Sequence, residues 1–329
     1  MRQQTLKGSF TLQGKGLHTG LDVRITFNPA PDNHGYKIRR TDLADRPVID
    51  ALADNVVNTQ RGTVLCVNGV QVSTVEHGLA ALYACGIDNC LIDVDAPEFP
   101  ILDGSSILYV SKIKEVGTQQ QEAARKYVEL KRKRIRVVDK ETGSSMILMP
   151  DESFSIESHI AFDSILLKKQ SASMNDMSEF VKDFASARTF VFVKEVEFLL
   201  YNDLIKGGDL DNAIVIYDKL IPQEKLDRLA ALMGVSKRNA NKLGYIMNKP
   251  LLYPNEPARH KLLDIIGDLA LVGAYIKGAV IANCPGHGIN NRFARVIREH
   301  YLAENYRKEM AKEMRVKKWE LEETGTFRR

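Results

Sequence analysis

His260 and Asp264 stand four residues apart in the segment RHKLLDIIGDL (259–269), and Asp268 follows four further on. On a helix this spacing brings the three side chains to one face. An imidazole and a carboxylate one turn apart suit two ligands of one metal ion. Leu262, Leu263, Ile265, Ile266 and Leu269 between them are apolar, so the helix buries a stripe that would hold its His/Asp edge rigidly. The same residues would equally make a polar edge in water. A second pair is Glu76-His77, where Ser73-x-x-Glu76 also matches a capping box, the simpler reading by spacing alone. His287 lies in PGHGINN, between glycines that let backbone approach a ligand. Two histidines and a carboxylate form the donor set of a catalytic zinc with one position left for water. A spare Glu and a spare His would supply the proton chemistry. There is no H-E-x-x-H, and the inverted H-x-x-E-H would need a histidine where Ser73 stands. Residue types alone do not single out these three from His18, His34, His159 and His300.

The elements that must position them read as follows. Leu21 to Asn28 alternates as a strand and ends at Pro29-Ala-Pro. Val64 to Val72 reads as a hairpin turning at Asn68-Gly69. A helix from about Thr74 to Cys85 closes at Gly86, and a buried strand, Cys90 to Val94, follows. Residues 115–126 (EVGTQQQEAARK) lose all apolar periodicity and make the best linker. Strands resume at Tyr127–Val138, Ser145–Met149 and Ser155–Ile160, then a helix at Met177–Ala187 and a strand at Ala213–Tyr217. Residues 221–249 read as an added helical segment. The strongest helix runs from Pro257, which suits a first helical position, to Tyr275. A strand at Ala279–Ala282 leads into the His287 loop, and the tail from His300 is charged and helical in pattern. Strands and helices without strict alternation favour α+β. No repeat is visible by identity.

Composition narrows the class. The 329 residues suit two domains, at roughly 100–200 residues each. With 44% hydrophobic and 27% charged residues the chain is a folded protein, and a net charge of +4 is too small to argue for nucleic acid. Cys66, Cys85, Cys90 and Cys284 form no C-x-x-C pair and read as free thiols in a reducing cytosol. The start lacks an apolar signal region, and Lys277 interrupts the longest apolar stretch, so no membrane span is expected. The run Lys131 to Arg134 reads as a solvated strand edge.

Seven stretches resemble the UDP-3-O-acyl-N-acetylglucosamine deacetylases of lipid A biosynthesis: GKGLHTG (14–20), STVEHGLAAL (73–82), APEFPILDGSS (96–106), SARTF (186–190), GGDLDNAIV (207–215), RHKLLDIIGDL (259–269) and GHGINN (286–291). They fall in the family's order and cover nearly the whole chain to about residue 300. The resemblance implies two similar α+β domains, 1–118 and 127–300, each a small sheet layered with helices. The helices pack between the sheets, the active site lies at the domain interface, and 301–329 is a charged tail. It implies a zinc-dependent deacetylase, a cytoplasmic hydrolase of a UDP-acyl-aminosugar. One Zn2+ per chain would be held by His77, His260 and Asp264, and Fe2+ fits the same donors. Glu76 would be the general base, His287 the electrostatic and acid partner, Asp268 its orienting carboxylate, and Thr189 a donor to the reacting carbonyl. Lys261 would meet the anionic head of the substrate and Phe190 would stack near it. Phe192, Phe198, Leu199 and Leu210 would line an acyl passage, and His18 would lie near the site.

Three departures from the family pattern carry expectations. Asp209 stands where a small residue is common, and its carboxylate is expected to point outward. Gly78 replaces a larger apolar residue and is expected to loosen packing. Residues 221–249 are an insertion relative to shorter members, of a kind found in forms fused to a C-terminal dehydratase domain. The rival reading is a zinc amidohydrolase acting on a different N-acyl sugar.

Overall fold

The computed structural model describes residues 1–201 and 205–323; within these, the side chains at 197, 199–201 and 316–323 are not described. Alternation builds the first sheet. In Asp22–Pro29, Val23, Ile25 and Phe27 face the core while their neighbours face out. Across this sheet the strands run Phe10–Lys15, Asp22–Pro29, Cys90–Val94, Tyr36–Arg40, Val48–Asp50. Cys90–Val94 is central, antiparallel to the second strand (Phe27 opposite Ile92) and parallel to Tyr36–Arg40 (Ile38 opposite Ile92).

The C-terminal sheet repeats this plan. Five of its six strands run Ile135–Val138, Ser145–Met149, Tyr275–Asn283, Phe154–Ala161, Lys169–Met174, and the sixth, Tyr127–Glu129, pairs parallel with Tyr275–Asn283. The last strand in the chain, Tyr275–Asn283, is again central. It is antiparallel to Ser145–Met149 (Met146 opposite Ala282) and parallel to Phe154–Ala161 (Ile156 opposite Val280). Helices occupy matching places. α1 (Glu76–Ala84) precedes the central strand of the first sheet and α2 (Ile107–Val116) follows it. In the second half α3 (Phe180–Asp183), α4 (Val193–Tyr201) and α5 (Gln223–Leu232) come first. Then α6 (Glu256–Ala270) precedes the central strand and α7 (His287–Glu323) follows it. The chain is therefore a repeat of structure without a repeat of sequence, in keeping with the α+β expectation.

Each half is interrupted at the same point, between its fourth strand and the helix before the central strand. In the first half the interruption is a small sheet, Val56–Asn58, Val64–Val67, Val70–Val72. Its hairpin turns at Asn68 and Gly69, with φ of 51° and 82°, the left-handed pair that a tight two-residue hairpin requires. In the second half it is the longer stretch carrying α3, α4, α5 and the sheet Phe190–Phe192, Ile214–Tyr217, Gly244–Ile246.

The two repeats meet through α1 and α6. α6 is buried along nearly its whole length, with Leu262, Leu263, Ile265, Ile266 and Leu269 fully enclosed and Pro257 in its first turn. The approach to α1 is so close that a Cβ on Gly267 would lie 2.1 Å from the backbone oxygen of Glu76. At Gly78 the ring of Phe99 fills the room a side chain would take, 3.1 Å from the place of a Cβ, so the packing there is tight rather than loosened.

Three other expectations are corrected. Residues 115–126 are not a linker: α2 ends at Val116 and Thr118–Ala124 is a strand paired with Arg2–Leu6. On its half-covered side the polar Gln121 bonds to the Ala30 carbonyl and to Asn89. His287 is not on a loop but opens α7, and the tail from His300 continues that same helix. The helix expected at Met177–Ala187 is a 3-10 turn followed by the short α3. Lys131 to Arg134 are exposed, but they lie between the strands Tyr127–Glu129 and Ile135–Val138 and not in a strand. No helix among the described residues is long and apolar enough to cross a membrane.

Candidate metal centre

Because α1 and α6 cross face to face, His77 from the first repeat meets His260 and Asp264 from the second. One ligand atom from each of the three lies within 4.8 Å of the others. Asp264 Oδ1 is 3.4 Å from His260 Nε2 and 3.7 Å from His77 Nε2, and the imidazoles meet edge to face at 5.0 Å between ring centres. All three residues are buried.

The neighbours fix which atoms face the centre. His260 Nδ1 lies 2.9 Å from the Ala187 carbonyl, which assigns that nitrogen the proton and turns the Nε2 lone pair inward. The ammonium of Lys261 donates to Asp264 Oδ2 at 2.8 Å. Asp264 Oδ1 is left buried with no hydrogen-bond partner among the described residues. Burial works to raise the Asp264 carboxyl, but Lys261 and the imidazoles outweigh it and hold the group well below the usual carboxylate range. Burial, then His260, push His77 down to about 3, and burial also lowers His260. Two neutral imidazoles and one carboxylate oxygen without a donor converge here. The donor set fits a divalent metal ion, and a cation satisfies the orphaned oxygen.

A second group adjoins the first. No side chain caps α1, so the Ser73/Glu76 capping box does not form; the Glu76 carboxylate instead accepts from the backbone N–H of Thr63. Its other oxygen is 3.8 Å from His287 Nε2. Burial is the main cause that raises Glu76, to about 7. For His287 burial acts downward, yet Asp268, Glu76 and Asp264 outweigh it and push the imidazole up to about 9, so it is a cation at neutral pH. Asp268 is fully buried. It accepts from His287 Nδ1 at 2.9 Å, from Asn290 Nδ2 at 2.9 Å, from Asn291 Nδ2 at 3.0 Å and from the Thr63 hydroxyl.

A cavity of about 170 Å³ opens over these residues. Glu76, His77, His260, Asp264, His287, Lys261, Thr189, Phe190 and His18 all border it. Phe192 does not: it is buried and tilted against Phe162 at 5.3 Å, so it backs the wall through Phe190. Leu210 lines a second, adjoining cavity. Phe198 is exposed, and the side chain of Leu199 lies outside the described residues. Asp209 is exposed at the edge of the cavity, and its carboxylate accepts from the backbone N–H groups of Asp211 and Asn212.

Reading by type and spacing missed Thr63, Asn290 and Asn291, because they act through Asp268. The two asparagines had a signal: they stand three and four residues after His287, one turn along the helix it opens. Glu98 was missed as well. It is fully buried and accepts from the backbone N–H groups of His18 and Thr19 and the hydroxyls of Thr19 and Thr74, tying GKGLHTG to the segment before Glu76.

The family model described as "UDP-3-O-acyl N-acetylglycosamine deacetylase" (LpxC) matches residues 3–231 and 222–299. A protein of Porphyromonas gingivalis named "Bifunctional enzyme LpxC/FabZ" is 61% identical over 298 residues, 91% of this chain and 64% of that relative. One of the same name from Bacteroides thetaiotaomicron is 60% identical over 299 residues, 91% of this chain and 65% of the relative. The chain thus spans just under two thirds of these bifunctional relatives. A "UDP-3-O-acyl-N-acetylglucosamine deacetylase" of Citrifermentans bemidjiense is 38% identical over 291 residues, 88% of this chain and 87% of the relative.

Proposed function

The chain belongs to the UDP-3-O-acyl N-acetylglycosamine deacetylase family, and from that membership we propose that it hydrolyses the N-acetyl amide of a UDP-3-O-acyl-N-acetylglucosamine. The products are acetate and the UDP-3-O-acyl-glucosamine, and the reaction is an early, cytoplasmic step of lipid A biosynthesis. The observation that carries this reading is the orphaned Asp264 Oδ1 between two neutral imidazoles, with a general base and a cationic imidazole on one side of it.

On this reading one Zn2+ is held by His77, His260 and Asp264, with Fe2+ as the other ion that suits these donors. Residues 1–118 supply Glu76 and His77, and residues 127–300 supply the other ligands with Asp268 and His287. When bound, the ion supplies Lewis acidity that polarises an amide carbonyl and makes water a stronger acid. Glu76 accepts a proton from the attacking water at its carboxylate, and its elevated pKa matches that task near neutral pH. His287, cationic and oriented by Asp268, faces the negative charge that develops on the carbonyl oxygen, and the Thr189 hydroxyl donates to the same oxygen. The departing amine takes a proton from Glu76 or His287. Lys261 meets the anionic head of the substrate, Phe190 and His18 flank the sugar, and Phe192 and Leu210 support the apolar side where the acyl chain lies.

The test is acetate release from UDP-3-O-acyl-N-acetylglucosamine. Release is expected, lost after dialysis against a chelator and restored by zinc. Full activity in demonstrably metal-free protein would sink the reading. Equal kcat/KM on substrates lacking the acyl chain would move it to a generic N-acyl-sugar hydrolase.

A further inference from the structure

Beside its polar groups, the cavity over the metal centre is bordered by Val191, Val196, Ile205, Ala213, Val215 and Met233. A second cavity, of about 40 Å³, adjoins it: Val196, Val215 and Met233 border both. The second one is walled by Val193, Leu210, Ile246 and, from α5, Leu226, Leu229 and Ala230. Those three α5 residues recur at helical spacing and are buried, whereas most of the helix faces solvent. α5 therefore acts as a roof.

The roof has its own support. Val193, Val196, Leu210, Val215, Tyr217, Leu226, Leu229 and Ala240 form a hydrophobic cluster distinct from the main core. The Tyr217 hydroxyl donates to the Ala240 carbonyl and accepts from the Ile221 N–H. Gln223 donates to the Arg238 carbonyl and accepts from the Ala240 N–H. The segment from Ile221 to Ala240 is thus laced to itself and to the strand Ile214–Tyr217. Met233 sits at its inner edge, where α5 ends. An unbranched thioether fills such a gap and changes rotamer at little cost.

Resting on the deacetylase reading, we infer that Met233 sets the length of acyl chain the enzyme accepts. Its side chain closes the passage that begins at the metal centre, and the chamber under α5 is the space a longer chain enters when Met233 swings aside. The insertion at 221–249 is then a specificity element, and Met233 and Leu229 are its length-setting residues.

The experiment is a kcat/KM series on UDP-3-O-acyl-N-acetylglucosamines of increasing acyl length, run for the parent, Met233→Ala, Met233→Trp and Leu229→Trp. A parallel set of calorimetric Kd values for the corresponding deacetylated products on metal-stripped protein reads the passage without turnover. Each methylene that enters the passage raises kcat/KM by roughly fourfold, after which the curve levels. Met233→Ala is expected to move the levelling point to longer chains, and Met233→Trp and Leu229→Trp to shorter ones, in both kcat/KM and Kd. Melting curves screen each variant for folding, and the two tryptophan positions on separate turns guard against the loss of one. A levelling point that stays put in every folded variant, while the parent turns substrate over, overturns the inference alone. A parent that releases acetate from no member of the series overturns the deacetylase reading and the inference with it.

Discussion

A buried carboxylate oxygen without a donor costs about 1–3 kcal/mol or more, and Asp264 Oδ1 bears that cost among the described residues. A bound cation removes it, so metal and ligand stabilise each other. His260→Ala is expected to lower metal content and activity together, and elemental analysis finding undiminished metal would remove His260 from the donor set. Glu76→Gln is expected to keep the metal and lose about 10²–10⁴-fold in kcat, the usual cost of removing a general base. Retention of kcat there would leave Glu76 with only a positioning part. His287 makes a prediction for the metal-stripped chain. Its pKa is raised from 6.5 to about 9 in the folded state, so its contribution is present in full below about 6.5 and is lost as the pH rises through about 9. His77, His260 and Glu76 titrate at or below about neutral pH and add little change above it. Metal-free protein should therefore lose on the order of 3 kcal/mol between pH 7 and 10 through this group. His287→Gln should flatten that part of the profile. Urea melts at the two pH values, parent against variant, decide it; parallel slopes would assign the loss to another group.

At the scale of elements, Gly267 is where α6 can approach α1, and the two helices carry the three candidate ligands between them. Gly267→Ala would set a methyl against the backbone of Glu76, which cannot swing away as a side chain can. The expected result is a loss of about 2 kcal/mol or more, from overpacking, together with weaker metal affinity. An unchanged melting temperature would show that the helices can part without harm. The helix periodicity of α6 was legible because its buried stripe is continuous, and the hairpin at Asn68-Gly69 because only a left-handed pair of residues closes it. The strand Thr118–Ala124 was not legible: none of its side chains is buried, and the half-covered Gln121 is polar and bonds to Ala30 and Asn89, so no apolar alternation marks it. His287 was read as a loop residue for a related reason. Two glycines flank it, and the buried face that makes α7 a helix begins only at Ile289, Phe293 and Ile297.

Over the whole molecule, the repeat escaped notice in the sequence because it is held in strand order and register, which many apolar residues satisfy equally well. His77, His260 and Asp264 could be named only through family motifs, since their convergence depends on two helices far apart in the chain. Thr63 and Glu98 had no local signal at all, because each acts across more than one element. The division of the donor set between α1 and α6 also bears on how the protein comes into being. A ribosome delivers His77 early and must build almost the whole second repeat before His260 and Asp264 emerge. Until then the growing polypeptide carries one imidazole of the candidate set, a single donor where a catalytic site takes three. On the proposed reading, capture of a metal dates the moment at which the second repeat closes on the first, and a chain halted before α6 would leave the ribosome empty-handed.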